Sequence, residues 1–152
     1  VVVVQFLKDG SSSEISLLKG LSGVEAVLSD GALAKFTFRM SDEEKVASRV
    51  LHDDNLRHAF ELVSAPAEGA VGCEGSLLVL DEALDALRAG LLDESLLREV
   101  MARAAGADRC EAVVTGHSLP DFVAEAADYL TRFSCERHPY QRGVAAREGI
   151  EY

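Results

Sequence analysis

The chain alternates short, unbroken apolar runs with longer stretches of helical period, and that alternation predicts its elements. Residues 1–7 read Val-Val-Val-Val-Gln-Phe-Leu, β-branched and almost wholly apolar, as expected of a central parallel strand covered on both faces. Residues 8–13 carry Gly and Ser and predict a loop, and residues 24–28 a second strand that stops at Ser29-Asp30-Gly31. Ser41 and Glu44 have the spacing of a capping box, and Val46, Val50, Leu56, Phe60 and Val63 follow at mostly helical intervals; a helix of about twenty residues is predicted. Residues 66–75 are a small-residue connection, after which Leu77-Leu78-Val79-Leu80 forms a third strand ending abruptly in Asp81-Glu82. Asp93 is the expected cap of a helix bearing Leu96, Leu97, Val100, Met101 and Ala104, which stops near Gly106. Residues 111–115 predict a fourth strand. Gly116-His117-Ser118 then turns into a helix with Ser118 as its cap, Pro120 in its first turn and Phe122, Val123, Ala126, Ala127 and Leu130 on its apolar face. Residues 129–135 are read as a last strand, and the polar, Gly-punctuated tail from residue 138 as irregular. Strands alternating with helices imply an α/β fold: a mostly parallel sheet with helices on both faces.

Composition narrows the class. At 152 residues the chain fits one domain, large enough to bury roughly 70% of its unfolded surface. Its 26 acidic and 15 basic residues give a net charge of −11, with no Lys/Arg cluster to follow a phosphodiester backbone, so no nucleic-acid partner is expected. Apolar runs fall far short of the roughly 20 residues of a membrane helix and no signal segment opens the chain, so no membrane partner and a cytoplasmic location are expected. Cys73, Cys110 and Cys135, odd in number and widely spaced, are read as reduced thiols. A strand that begins at Val1 without a polar lead-in suggests that an upstream segment belongs to the fold.

The chemistry concentrates at the end of the third strand. Ligands of open α/β sheets bind at the carboxyl ends of the strands, and a carboxylate pair there suits Mg²⁺ beside nucleotide phosphates, as in a Walker B strand. Its usual companion, Gly-x-x-x-x-Gly-Lys-[Ser/Thr], occurs nowhere in the chain. Neighbouring strand residues point to opposite faces, so one of Asp81 and Glu82 is expected to contact the ion and the other to order water or the next loop; which does so is open. Phe36 and Phe38 share a face if extended, between polar flanks. His52 and His58, beside Asp53 and Asp54, lack the i, i+4 spacing of helical metal ligands and read as a solvated helix face. Glu125 and Asp128 read as acidic surface.

Several local patterns, in this order, resemble the P-loop-type ATP:corrinoid adenosyltransferases. They are Val3-Val4-Gln5-Phe6-Leu7-Lys8, Glu14 after a Gly-containing loop, Phe36-Thr37-Phe38, the strand from Leu78 to Glu82, Val113-Val114-Thr115-Gly116, Glu125-Ala126-Ala127-Asp128, and a closing His138-Pro139-Tyr140, Gly143, Ala146, Gly149-Ile150-Glu151-Tyr152. The tail is the most specific of these. The resemblance implies a three-layer αβα P-loop (RecA-like) fold in one nucleotide- and corrinoid-binding domain spanning residues 1–152, here without its first strand, phosphate loop and first helix. It implies transfer of the 5′-deoxyadenosyl group of ATP to the Co(I) of a reduced corrinoid with release of triphosphate, in cobalamin biosynthesis or salvage. The nucleophile is then the substrate's cobalt, which fits a chain showing no Ser-His-Asp or Cys-His grouping. Asp81 and Glu82 are implied as the Mg²⁺ or Mn²⁺ side. Glu14, Thr115, Gly116, His117, His138 and Tyr140 are implied on the nucleotide side, and Phe36 and Phe38 against the corrinoid, where such aromatics displace its lower axial ligand. A homodimer and a flavoprotein reductant are further implications. The chain departs from the family pattern in lacking the Gly-Lys loop and in carrying His117 where Arg is usual, which a neutral imidazole does not replace. A non-catalytic corrinoid carrier and a different P-loop ATPase are the rival readings.

Overall fold

A computed structural model describes residues 1–8, 10, 12–29, 39–64, 75–106, 110–145 and 147. Its elements run β1 (Val2–Gln5), α1 (Ser13–Leu18), β2 (Glu25–Leu28), α2 (Asp42–Ser64), β3 (Ser76–Asp81), α3 (Ala83–Arg88), α4 (Glu94–Ala105), β4 (Cys110–Val114) and α5 (Asp121–Ala126), followed by a 3₁₀ turn at Pro139–Arg142. The four strands form one parallel sheet in the order β2-β1-β3-β4. This is the α/β architecture, of the three-layer αβα P-loop NTPase-like class, that the alternation of runs predicts.

The β1 segment is central because it can be: all four of its residues are buried, and it pairs on both sides, with Val2 opposite Glu25 of β2 and Leu78 of β3. In β3, Leu78 and Leu80 are fully buried, and Leu78 lies opposite Ala112 of β4. Helix α2 packs on β1, β2 and β3, and α4 packs on β4 and on α2. The core joins Val2, Val4, Phe6, Leu56, Ala59, Leu78, Leu80, Leu97 and Val100 across these layers.

Both long helices start as their sequences dictate. The Ser41 amide donates to Glu44 Oε2 at 2.8 Å and the Glu44 amide donates to Ser41 Oγ at 3.2 Å, a reciprocal capping box. Asp93 accepts from the Leu96 amide at 2.9 Å and opens α4. The buried stripe of α2 is not the predicted one, however. It runs Ser48, His52, Leu56, Ala59, Val63, while Val46 and Val50 face solvent. At 100° per residue these valines sit about 80° and 120° round the helix from Leu56, and the polar Ser48 and His52 take the inward positions.

Two further expectations are corrected. Helix α5 begins at Asp121, with Pro120 as its N-cap in extended conformation (φ −67°, ψ 147°), so Ser118 is not a cap and Pro120 is not in the first turn. A proline disfavours helical geometry in the residue before it, which keeps Leu119 out of the helix. Residues 129–135 form no strand: they are exposed throughout, Tyr129 at 95% and Phe133 at 91%, and Leu130 lies outside the helix. Extended backbone without a ladder to join leaves its polar groups to water.

Cys110 and Cys135 are free thiols. Among the described residues no helix is long and apolar enough to cross a membrane.

Candidate functional site

The carboxyl ends of β1, β3 and β4 meet in one polar knot. Phe6 extends β1 past its last strand residue, and its amide donates to the Asp81 carbonyl at 3.0 Å. Thr115, just beyond β4, donates its hydroxyl to Asp81 Oδ1 at 3.0 Å and accepts the Glu82 amide at 2.9 Å. Its backbone joins as well: the Thr115 amide donates to the Leu80 carbonyl and its carbonyl accepts the Leu84 amide. One side chain therefore fixes both carboxylate-bearing residues to the neighbouring strand.

Glu82 departs from the strand geometry on which the opposite-faces expectation rests. Its φ of 59° is left-handed, a conformation that non-glycine residues adopt only when their surroundings enforce it. The turn brings its side chain round to the same side as that of Asp81. Both meet Lys8, whose Nζ lies 3.9 Å from Asp81 Oδ2 and 3.6 Å from Glu82 Oε1. Leu7, before Lys8, is also left-handed at φ 60°. The two strand ends thus turn toward each other, and the expectation of carboxylates on opposite faces is corrected.

Glu14 belongs to the same group. It accepts from Gln5 Nε2 at 3.1 Å and lies 3.6 Å from Lys8 Nζ, while Ser12 Oγ donates to Gln5 Oε1 at 3.0 Å. Its own backbone amide, helped by Ser12, Gln5 and Lys8 against slight desolvation, holds its carboxyl below the ordinary glutamate range. Gln5 is buried in an otherwise apolar strand, and its amide is satisfied by this chain.

His52, read from sequence as part of a solvated face, is buried, and Asp53 beside it accepts the Asp93 amide at 2.8 Å. His52 Nδ1 bonds the Leu91 carbonyl at 2.9 Å and its Nε2 faces the Leu7 amide at 3.4 Å, which assigns the proton to Nδ1. Its ring meets Phe6 edge-on at 5.4 Å. It thereby supports the strained residue that presents Lys8. Burial lowers its pKa, opposed by its bond to the Leu91 carbonyl and by Asp53. Because the folded pKa lies below the unfolded value, the neutral ring favours folding above that value, and this stability is lost as pH falls from about 6.5 through the folded pKa. Urea midpoints measured from neutral pH downward should therefore fall less steeply for His52→Gln than for wild type.

The other side of the knot is built on Asp85 of α3. Asp85 is only 6% exposed; its Oδ2 accepts the His117 amide and faces His117 Nδ1, both at 2.9 Å, and its Oδ1 accepts from Arg88 at 3.1 Å. Burial works against its ionisation, but the His117 and Arg88 hydrogen bonds outweigh it and hold the carboxyl below the ordinary aspartate range. Gly116 is required here, since a Cβ would lie 2.6 Å from Leu84 Cβ and 3.1 Å from Asp85 Oδ2.

Of the residues singled out from sequence, Asp81, Glu82, Glu14, Thr115, Gly116 and His117 are brought into this one region. His138 and Tyr140 form a local turn instead: the His138 ring accepts the Tyr140 amide at 3.1 Å, and the Tyr140 side chain stands in solvent. Phe36, Phe38 and the closing Gly149-Ile150-Glu151-Tyr152 lie outside the described residues. Sequence reading passed over Lys8, Gln5, Ser12, His52 and Asp85 as site residues. For Gln5 and Asp85 a signal existed, a polar residue interrupting an apolar run.

Among the described residues no grouping of three or more His, Cys, Asp or Glu side chains is placed to hold an ion. Two carboxylates, hard oxygen donors converging on one ammonium group, nevertheless fit Mg²⁺, which takes few protein ligands and completes its octahedron with water and phosphate oxygens.

A parallel sheet with a carboxylate-tipped strand, tied by a threonine to its neighbour, defines a fold of the P-loop NTPase-like class. The profile of the family described as ATP:corrinoid adenosyltransferase BtuR/CobO/CobP matches residues 1–152, and the chain belongs to that family. A relative named corrinoid adenosyltransferase, from Pseudomonas aeruginosa, is 29% identical over 156 residues, an alignment covering 100% of this chain and 69% of that protein.

Proposed function

We propose that this protein transfers the 5′-deoxyadenosyl group of ATP to a reduced corrinoid. The observation that carries the reading is the joining of Asp81 and Glu82 through Thr115 at the carboxyl end of β3, within a chain of this family. In the reaction, the corrinoid Co(I) donates an electron pair to the ATP 5′ carbon, the Co–C bond forms, the C5′–O bond breaks, and triphosphate leaves with that bonding pair. No protein nucleophile or proton transfer is needed, so the work of the chain is positioning and charge compensation. Mg²⁺ or Mn²⁺ bound at Asp81 and Glu82 would neutralise phosphate charge. Thr115 holds the two carboxylate residues in register, Glu14 and Gln5 position Lys8, and Lys8 balances the carboxylates.

Phe36 and Phe38 are proposed as the corrinoid side, and His138 and Tyr140 as tail contacts that join the site when substrate is bound. A cytoplasmic homodimer served by a flavoprotein reductant is the proposed setting. The phosphate loop and its strand are proposed to complete the sheet at β4, whose positions Glu111, Ala112 and Val113 are exposed and which has no outer strand among the described residues.

The test is spectroscopic. The full-length protein, mixed with Co(I) corrinoid, ATP and Mg²⁺, should yield the adenosylated product together with triphosphate. Release of ADP without a cobalt–carbon product would instead show an ordinary ATPase, and corrinoid binding with no product a carrier.

A further inference from the structure

A polyphosphate arriving at this strand end meets Asp81, Glu82 and Glu14, with Lys8 as their shared counter-charge. Another cationic donor there would add to its affinity. Beside the Thr115-Gly116 turn that follows β4, Arg88 and His117 both bond Asp85. Arg88 is committed to Asp85, whereas the His117 side chain is 85% exposed even though its Nδ1 is held at 2.9 Å. The pinned Nδ1 orients the ring, and among the described residues its Nε2 has no hydrogen-bond partner.

We propose that His117, oriented by Asp85, is a proton-gated contact for the polyphosphate of ATP and of the triphosphate product. This rests on the adenosyl-transfer reading and adds a regulation to it. With Nδ1–H donated to Asp85, a neutral ring presents a lone pair at Nε2, which repels a phosphate oxygen. Protonation turns that same atom into a charged donor. One proton thus exchanges repulsion for a charge-assisted hydrogen bond at a fixed position.

The charges facing the ring favour the proton. The Asp85 hydrogen bond and its negative charge raise the His117 pKa above the ordinary histidine value; slight desolvation and Arg88 oppose this, and Glu82 assists. The imidazolium is therefore the form that binds, and affinity falls as pH rises through the raised pKa. An exposed contact of this kind is worth about fivefold in affinity.

Calorimetric titration of inorganic triphosphate into the full-length protein, over a pH range of about 5.5–8.5, tests this alongside NMR titration of the His117 ring. Wild type should lose about fivefold in affinity across its His117 transition. H117A should lack that loss and H117R should bind tightly without it, both keeping only the pH dependence that the ionisation of triphosphate itself imposes. Saturating triphosphate should move the NMR pKa of His117 further upward. An H117A profile identical to wild type, or a ring pKa indifferent to triphosphate, overturns the assignment and leaves the adenosyl-transfer reading standing. Failure of wild type to bind triphosphate or ATP at any pH overturns both. H117R also settles the matter if removal of the ring disturbs folding, because an H117R pH profile that parallels wild type contradicts the gate.

Discussion

Phe6→Ala should lower the unfolding free energy by about 3–5 kcal/mol, read as a fall in urea midpoint at an unchanged slope. Phe6 has no exposed surface and closes the core where β1 leaves the sheet, so truncation leaves a void that α2 cannot fill without moving. The effect should reach the site. The Phe6 ring packs on His52, His52 accepts the Leu7 amide, and Leu7 presents Lys8 to the carboxylates. A variant that folds should therefore show weakened cation and nucleotide binding as well as lost stability. A midpoint within error of wild type would mean that β1 ends differently from the arrangement described.

Asp81→Asn should have the opposite profile, a loss of adenosyl transfer of about 10–100-fold with little change in melting temperature. The amide oxygen of Asn can still accept the Thr115 hydroxyl, so the link between β3 and β4 survives. What disappears is the negative charge, and Lys8 keeps Glu82 and Glu14 as partners. Turnover and thermal melts on the same preparation separate the two effects. Undiminished turnover in the D81N variant would remove Asp81 from the cation side and leave it as a strand-end tether.

The sequence was legible wherever an element's identity rests on local pattern. The Val-rich opening, the aliphatic run of β3 and the caps at Ser41 and Asp93 all became the predicted elements, because strand burial and capping depend on residues close in the chain. The reading failed where a distant partner decides. Val46 and Val50 looked like core, but the inward stripe of α2 is set by what lies beneath it, which near β1 is the polar Leu7 amide rather than aliphatic side chains. Residues 129–135 had strand composition and no strand beside them to complete a ladder.

The site divides in the same way. Asp81 and Glu82 stand out from sequence because carboxylates that end a buried strand need solvent, a partner or a cation. That both face Lys8, that Thr115 binds them together and that Asp85 pins His117 were decided only by the tertiary fold. These contacts join residues more than thirty positions apart in several cases, through strand ends brought together by parallel pairing. The left-handed turns at Leu7 and Glu82 are likewise invisible in composition, since neither residue favours that conformation and only the surrounding hydrogen bonds enforce it. By itself the sequence determined which groups carry the charge and at which end of which strand; the folded sheet decided which of them meet.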